Sequence, residues 1–424
     1  MKLPVLTIQD VVERQLCVGC GACASARPDA FAMDDAIDLG RRPFAQGDAA
    51  RSRDANGEAM KVCPGVSLEH TFDERDPAFD ASLRPAWGPV LRVWEGHATD
   101  DAIRRAGSSG GAATALALFA IERLGMRGVV HAVARDDAPH LNMTVMSTTR
   151  EELLARTGSR YAPASPCEGL GMIEASDRPC VFIGKPCDAA GAQKSRAQRA
   201  SLDRNLGLVI AFFCAGTPST RGTLDLLRKV GCDDPSRLTS LRYRGNGWPG
   251  MWTAKWTDVR GGDREASLTY EESWDFLQRY RQWRCYICPD HTGEFADVAV
   301  GDPWYRKVQP GEPGSSLIVA RTKRGMEIVE RAAREGYLTL SSRDATLLPR
   351  SQPNLLRTRA RLFGQVVALR AARVPTPRYR GFPTFRFWLG QRSARFWAES
   401  IGATWKRVKR KGLRRRSIAI KVGS

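Results

Sequence analysis

Cysteine spacing is where this chain first promises chemistry, because eight of its eleven cysteines fall into arrangements that hold metals in reducing compartments. Cys17-Val-Gly-Cys20-Gly-Ala-Cys23 is followed forty residues later by Cys63-Pro64. Three cysteines at spacing three fold a loop around one face of a cubane, and a distant fourth followed by Pro completes the set, as in bacterial-type ferredoxins. Gly19 and Gly21 let that loop turn tightly. Zinc is the competing occupant, although zinc sites usually pair two separated C-x-x-C units. The second group is Cys187, Cys214 and the pair Cys285-Tyr-Ile-Cys288. Cys187 and Cys214 each follow an apolar run, Val181 to Gly184 and Leu206 to Phe213, that reads as a short buried strand. If those strands are parallel neighbours, both thiols open beyond the carboxyl edge of one sheet, where open α/β folds place ligands. Four thiolates can then converge on one iron–sulfur cluster or metal, with Lys185 and Arg284 holding the negative charge. Either cysteine alone reads equally well as a small buried apolar residue. Cys167, Cys180 and Cys232 read as ordinary residues.

Three loops can seat a ligand. Arg104-Arg105-Ala106-Gly107-Ser108-Ser109-Gly110-Gly111 leads into the helix-forming run from Ala112 to Leu124, which Gly125 stops. Free amides and the dipole at such a helix start suit a pyrophosphate, while Ser is also an ordinary N-cap. Thr157-Gly158-Ser159-Arg160-Tyr161 offers a cation for a phosphate and a ring for stacking, or simply two surface residues. In Arg244-Gly-Asn246-Gly-Trp-Pro-Gly250, three glycines, Asn246 and a Trp suit a close approach to a planar ligand, or a plain hairpin turn. The stretch 274–305 is unusually aromatic, with Trp274, Phe276, Tyr280, Trp283, Tyr286, Phe295, Trp304 and Tyr305 around the C-x-x-C pair.

The elements that must position these residues alternate. Strand-like segments at Val90 to Gly96, Gly128 to Val133, Leu141 to Ser147, Leu238 to Arg244, Met251 to Asp258, Ala296 to Val300 and Tyr337 to Ser341 are interleaved with helical stretches after Gly111 and Thr149, at Thr220 to Val230 and at Thr322 to Glu335. This predicts an α/β (α+β) core with a mixed sheet over residues 84–350. Ahead of it stands a small ferredoxin-like [4Fe-4S] domain at 1–80, and behind it a basic, aromatic extension at 351–424. Residues 34 to 61, polar, charged and Gly-containing, read as an insertion within the small domain, and the sequence gives no role for it.

The formal charge of +19 invites a nucleic-acid reading. Residues 370 to 424 hold sixteen Lys or Arg and one acid, a net +15, which leaves +4 for everything before them. A zinc-bearing nucleic-acid binder is therefore disfavoured, since the charge belongs to a tail. There Phe385, Phe387, Trp388, Leu389, Phe396, Trp397, Ile401 and Trp405 mingle with basic residues ahead of Lys406 to Lys411 and Arg414 to Arg416, a pattern suited to an anionic membrane surface or an acidic partner. No apolar signal peptide and no run of 18 apolar residues stand in the sequence, so a soluble protein of a reducing, cytoplasmic compartment is expected, peripheral to the inner face of the membrane where the tail docks.

CVGCGAC with a later CP, SSGGAATALALFAIERLG, TGSRY, GKPCDAAG, FFCAGTPS, YRGNGWPG and CYICPDHTGEFADVAVGDPW together resemble the coenzyme F420 hydrogenase/dehydrogenase family of beta subunits, over residues 10 to 350. The resemblance implies an iron–sulfur flavoprotein oxidoreductase that binds FAD non-covalently and passes electrons between a ferredoxin or another redox subunit and a two-electron substrate, coenzyme F420 or another organic or lipid-linked molecule. It implies that Ser109, Gly110, Gly111 and Thr114 hold flavin phosphate, and that Lys185 stands at the flavin-facing turn where many relatives have Thr. It implies that Cys187, Cys214, Cys285 and Cys288 ligate a core [4Fe-4S] cluster, and that Cys17, Cys20, Cys23 and Cys63 ligate a second in an added ferredoxin module. A non-catalytic electron-transfer subunit of a larger complex is the other reading.

Overall fold

The computed structural model describes residues 5–73, 75–309 and 311–415. Arg416, the end of the basic run, lies outside the described residues. An eight-stranded mixed sheet organises the chain, in the order Leu338–Ser342, Arg92–Ala98, Ser316–Ala320, Val298–Gly301, Leu206–Phe212, Cys180–Gly184, Val129–Ala134, Asn142–Ser147. Its four central strands, from Val298–Gly301 to Val129–Ala134, run parallel. The flanking strands pair antiparallel. Parallel strands buried on both faces need continuous apolar runs, and Val181, Phe182, Leu208, Val209 and Ile210 are all fully buried. Each such side chain contributes about 1.5–3 kcal/mol on burial. Helix Ala112–Glu122 packs on one face with Leu116, Leu118 and Phe119 inside the core.

The predicted mixed sheet is therefore present, with one strand that the sequence pattern does not announce. Ser316–Ala320 is only five residues long, yet it is fully enclosed between Arg92–Ala98 and Val298–Gly301. A second sheet of three strands, Leu238–Arg242, Met251–Thr257 and Asp263–Thr269, packs Trp252, Trp256 and Tyr243 against Leu226 and Leu277.

The two ends of the chain meet. Helices Ile8–Glu13 and Arg53–Lys61 and the hairpin Phe31–Ala36/Gly40–Ala45 share one apolar core with helices Pro353–Ala371 and Ala394–Arg410, through Val11, Ala59, Leu362, Leu369 and Val408. Strand Arg378–Arg380 pairs in parallel with Ser67–Glu69. The stretch 34–61, an expected insertion to which the sequence assigns no role, supplies most of the hairpin and a whole helix of this core. Several tail aromatics face protein rather than solvent: Trp388 donates to Ser400 Oγ and Trp397 to the Trp388 carbonyl, and Trp405 packs on the shared core. Phe385 and Leu389 remain about half exposed.

Candidate functional site

Strand ends on one sheet edge build the site. Gly184 gives way to Lys185, Cys187 and Asp188, Phe212 to Cys214, and Gly301 to Asp302. Helix Ala112–Glu122 begins at the same edge from the left-handed Gly111 (φ +72°), and no side chain caps it, which leaves its first amides for a ligand. Between these ends lies a cavity of about 290 Å3 lined by Ser108, Ser109, Gly111, Thr114, Arg160, Tyr161, Lys185, Cys214 and Asp302, among others. Ser108 Oγ accepts from the Ser159 amide at 2.8 Å, tying the two predicted ligand loops together.

Three expectations change on contact with the geometry, while Lys185 keeps its place at the cavity wall. Gly110 does not line the cavity; its amide donates to Ser316 Oγ, and a Cβ there would stand 2.8 Å from the Gly96 carbonyl oxygen and the Ser316 nitrogen. That glycine is required by strand packing. Asn246 is exposed in a left-handed turn (φ +58°), away from the cavity. Arg160 reaches the cavity wall but spends its guanidinium on Asn142 Oδ1 (2.8 Å) and the carbonyls of Leu241 (2.8 Å) and Pro139 (2.5 Å), so it braces loops instead of facing a phosphate. Lys185 Nζ is tied to Asp188 Oδ2 at 2.7 Å and to the Ala164 carbonyl. Burial works against its charge, but Asp188 and Cys187 outweigh it and hold it protonated.

The aromatic stretch divides. Trp274 and Trp304 line the cavity with Tyr161 and Tyr270, and Tyr270 stacks on Trp304 at 5.6 Å between centroids. Trp283 and Tyr286 belong instead to the core shared by the chain ends, Phe295 stacks on His70 and Tyr305 bonds Glu95. Three further wall residues were given no site role by the sequence motifs, and only His131 lies outside them. Arg244 makes two 2.8 Å bonds to Asp302 and lies over Tyr270. Burial pushes His131 down to about 4, so its ring is neutral, with Nε2 on Ser147 Oγ. Asp302 was foreseeable, since it follows a buried strand at the same sheet edge where Lys185 follows another.

The cysteines fall into two groups. Cys17, Cys20, Cys23 and Cys63 line one small apolar cavity with Val11, Val12 and Met33. Burial pushes the Cys63 thiol up to about 12, and Cys20 and Cys17 push the same way. Gly19 and Gly21 are both left-handed, and the Gly19 amide points at Cys17 Sγ (3.3 Å). Cys167, expected to be an ordinary residue, stands against Cys20 and holds that thiol's proton affinity down. In the second group, burial raises Cys187, with Cys214 and Cys288 adding to it, and burial with Cys285 raises Cys214 to about 12. The Thr217 amide points at Cys285 Sγ (3.4 Å). Thiols buried in the first group and half-buried in the second, amides aimed at sulfur and nearby Lys185 and Arg284 fit the donor set of iron–sulfur clusters. Among the described residues no three His, Cys, Asp or Glu side chains close around a single ion position; thiolates at the corners of a cubane bind separate irons and stand farther apart. Cys180 shares an apolar cluster with Cys20 and Cys167 but lines neither cavity, and Cys232 packs in the core of the three-stranded sheet.

Known proteins place this arrangement. The N-terminal model for coenzyme F420 hydrogenase/dehydrogenase beta subunits matches residues 93–170, and the corresponding C-terminal model matches residues 177–346. The beta subunit of the coenzyme F420 hydrogenase of Methanococcus voltae is 23% identical over 252 residues, 58% of this chain and 82% of that protein. The beta subunit of the F420-dependent formate dehydrogenase of Methanocaldococcus jannaschii is 24% identical over 57% of this chain and 60% of its own length. A chain of the xenon-derivatised F420-reducing [NiFe] hydrogenase complex of Methanosarcina barkeri superposes with a TM-score of 0.51 at 20% identity, covering 68% of this chain and 94% of that one, and so shares the fold. The N-terminal cysteines and the tail fall outside both family matches. Since those matches run through every strand of the main sheet and both halves of its cavity, the chain belongs to the coenzyme F420 hydrogenase/dehydrogenase family of beta subunits.

Proposed function

We propose that this chain is an iron–sulfur flavoprotein of an oxidoreductase complex, passing electrons between a ferredoxin-type partner or subunit and a two-electron organic substrate, coenzyme F420 or another, through two [4Fe-4S] clusters and FAD. One observation carries the reading: Cys214 both lines the cavity and stands among Cys187, Cys285 and Cys288, so a ligand in the cavity abuts the second cysteine group. Bound there, FAD supplies the conversion between two-electron and one-electron chemistry.

The chain's own residues do the placing. The uncapped amides of Ala112 to Thr114 and the hydroxyls of Ser109 and Thr114 seat a pyrophosphate. Tyr161, Tyr270, Trp274 and Trp304 give a planar ring apolar faces and keep water out. Arg244 and Asp302 lock that wall. Cys17, Cys20, Cys23 and Cys63, in the ferredoxin-like segment 1–80, hold the outer cluster, and the body 84–350 holds the rest. The relatives are named as subunits of F420-linked hydrogenases and dehydrogenases, which supports work inside a complex and F420 as substrate. Among the described residues no helix is long and apolar enough to cross a membrane. Exposed Phe385 and Leu389, beside Arg386 in the extension 351–424, support peripheral docking on anionic lipid at the inner face of the membrane.

Anaerobic purification followed by flavin extraction and iron and sulfide assays tests the reading. One FAD and about eight irons per chain are expected from two cubanes. Flavin-free protein with stoichiometric zinc overturns it.

A further inference from the structure

Between the two cysteine groups lies a buried cation with no carboxylate partner among the described residues. Arg42 sits in strand Gly40–Ala45 and is 4% exposed. Its neighbour Arg41 is conventionally paired, with Asp35 at 3.0 Å and Glu168 at 3.1 Å. Arg42 instead turns inward. Nη1 donates to the Arg41 carbonyl and stands beside Gly19, where a Cβ would come within 3.3 Å of it. Nη2 donates to Gln282 Oε1 at 2.8 Å, and the Gln282 carbonyl in turn accepts from the Cys285 amide at 3.1 Å. One guanidinium thus touches the turn between Cys17 and Cys20 and the residue that leads into Cys285 and Cys288.

Burial lowers the proton affinity of Arg42, and Cys17 and Cys285 push it back up. A desolvated guanidinium is costly unless negative charge faces it, and here the thiolates of two cluster sites are what face it. Arg284 repeats the theme from the other side, with Nη1 on the Ile287 carbonyl and Nη2 reaching the carbonyl of Pro64, next to Cys63. The two cysteine groups are therefore joined through the segment Trp283–Ile287, whose Trp283 and Ile287 pack in the core of Cys17, Cys23 and Cys63.

We propose that Arg42 is a positioning residue shared by both cysteine groups, a fixed positive charge lodged between them that makes each cluster easier to reduce. The proposal rests on the cluster reading above. It assigns a purpose to the hairpin 31–45, which lies outside the family matches: the strand delivers this one charge. Arg42 keeps its proton throughout, so each couple it influences gains or loses one electron and nothing else.

The test is a mediator-controlled redox titration of the full chain, followed by the low-temperature electron paramagnetic resonance of its reduced clusters, with iron content measured in parallel. In Arg42→Gln, iron should stay at the wild-type level while both midpoint potentials fall, by about tenfold in the oxidised-to-reduced ratio, or about 59 mV for a one-electron couple. Arg42→Lys, which keeps the charge, should hold both potentials at wild-type values, and Arg41→Gln, which removes a charge already paired with acids, should do the same. Full iron in Arg42→Gln with either potential unmoved overturns the proposal. Should Arg42→Gln lose iron, Arg42→Lys decides: native potentials support the charge, shifted ones overturn it. Wild-type protein without iron brings down the cluster reading itself, an outcome visible before any variant is made.

Discussion

Replacing Arg359 with Met should unfasten the loop that carries half of the second cysteine group. Arg359, on helix Pro353–Ala371, bonds Glu294 Oε1 at 2.6 Å and the Pro289 carbonyl, and both side chains of the ion pair are at most 3% exposed. His70 holds the other Glu294 oxygen at 2.7 Å. Burial alone would raise the Glu294 carboxyl, but Arg359 and His70 outweigh it and hold it at about 2 rather than 4.5. That depression corresponds to about 3 kcal/mol of stability. Because the folded value lies below the unfolded one, this stability is complete above pH 4.5 and disappears as pH falls through 2. Stripping one partner from a buried pair costs roughly 3–5 kcal/mol, so two routes agree on about 3 kcal/mol, His70 keeping the loss at the low end. Denaturant unfolding of anaerobic protein, followed by tryptophan fluorescence, should show that loss in Arg359→Met at neutral pH and acid unfolding at a higher pH than in wild type. Glu294→Gln combined with Arg359→Met removes the stranded charge and should be more stable than Arg359→Met alone. A single variant within about 0.5 kcal/mol of wild type, the range of an ordinary surface change, or a double variant no better than the single, refutes the reasoning.

Other substitutions separate the parts of the site. Cys187→Ser or Cys285→Ser should lower iron to about four atoms per chain, one cubane's worth, while Cys180→Ser leaves iron unchanged; iron assays after anaerobic purification distinguish them. Ala113→Glu places a carboxylate in the first turn of the uncapped helix, inside the cavity, and should empty it of FAD with both clusters intact; normal flavin content in that variant would move the phosphate seat elsewhere. Phe385→Asp with Leu389→Asp should abolish co-sedimentation with anionic vesicles at low salt without altering iron or flavin, since both side chains are exposed. Truncating the tail is a poorer probe, because Val408 and Leu413 would leave the core that also encloses Cys17, Cys23 and Cys63.

The positions of Cys187 and Cys214 are legible in the sequence because local signals agree: a continuous apolar run says buried parallel strand, and the residue after it must stand at the carboxyl edge. Arg160 misleads for the opposite reason. A guanidinium beside a glycine loop can face a phosphate or brace remote carbonyls, and only the tertiary approach of Leu241 and Pro139 decides between them. Gly110 has the look of a ligand loop, whereas its real neighbours are Gly96 and Ser316, the second roughly half the chain away. Arg42 carries no signal at all, because its meaning depends on hairpin pairing that turns Arg41 toward acids and its neighbour toward sulfur. The tail illustrates a general ambiguity: apolar rings among basic residues suit lipid and protein alike, and Trp388, Trp397 and Trp405 found protein.

The central claim is that two separate cysteine groups each hold a cluster, one of them against a flavin cavity. Anomalous diffraction at the iron edge from anaerobically grown crystals tests it directly. Two iron peaks are expected, one enclosed by Cys17, Cys20, Cys23 and Cys63 and the other by Cys187, Cys214, Cys285 and Cys288, with density for a three-ring system between the second peak and Tyr270. A single peak, or a peak at either group that responds at the zinc edge and not at the iron edge, contradicts the account.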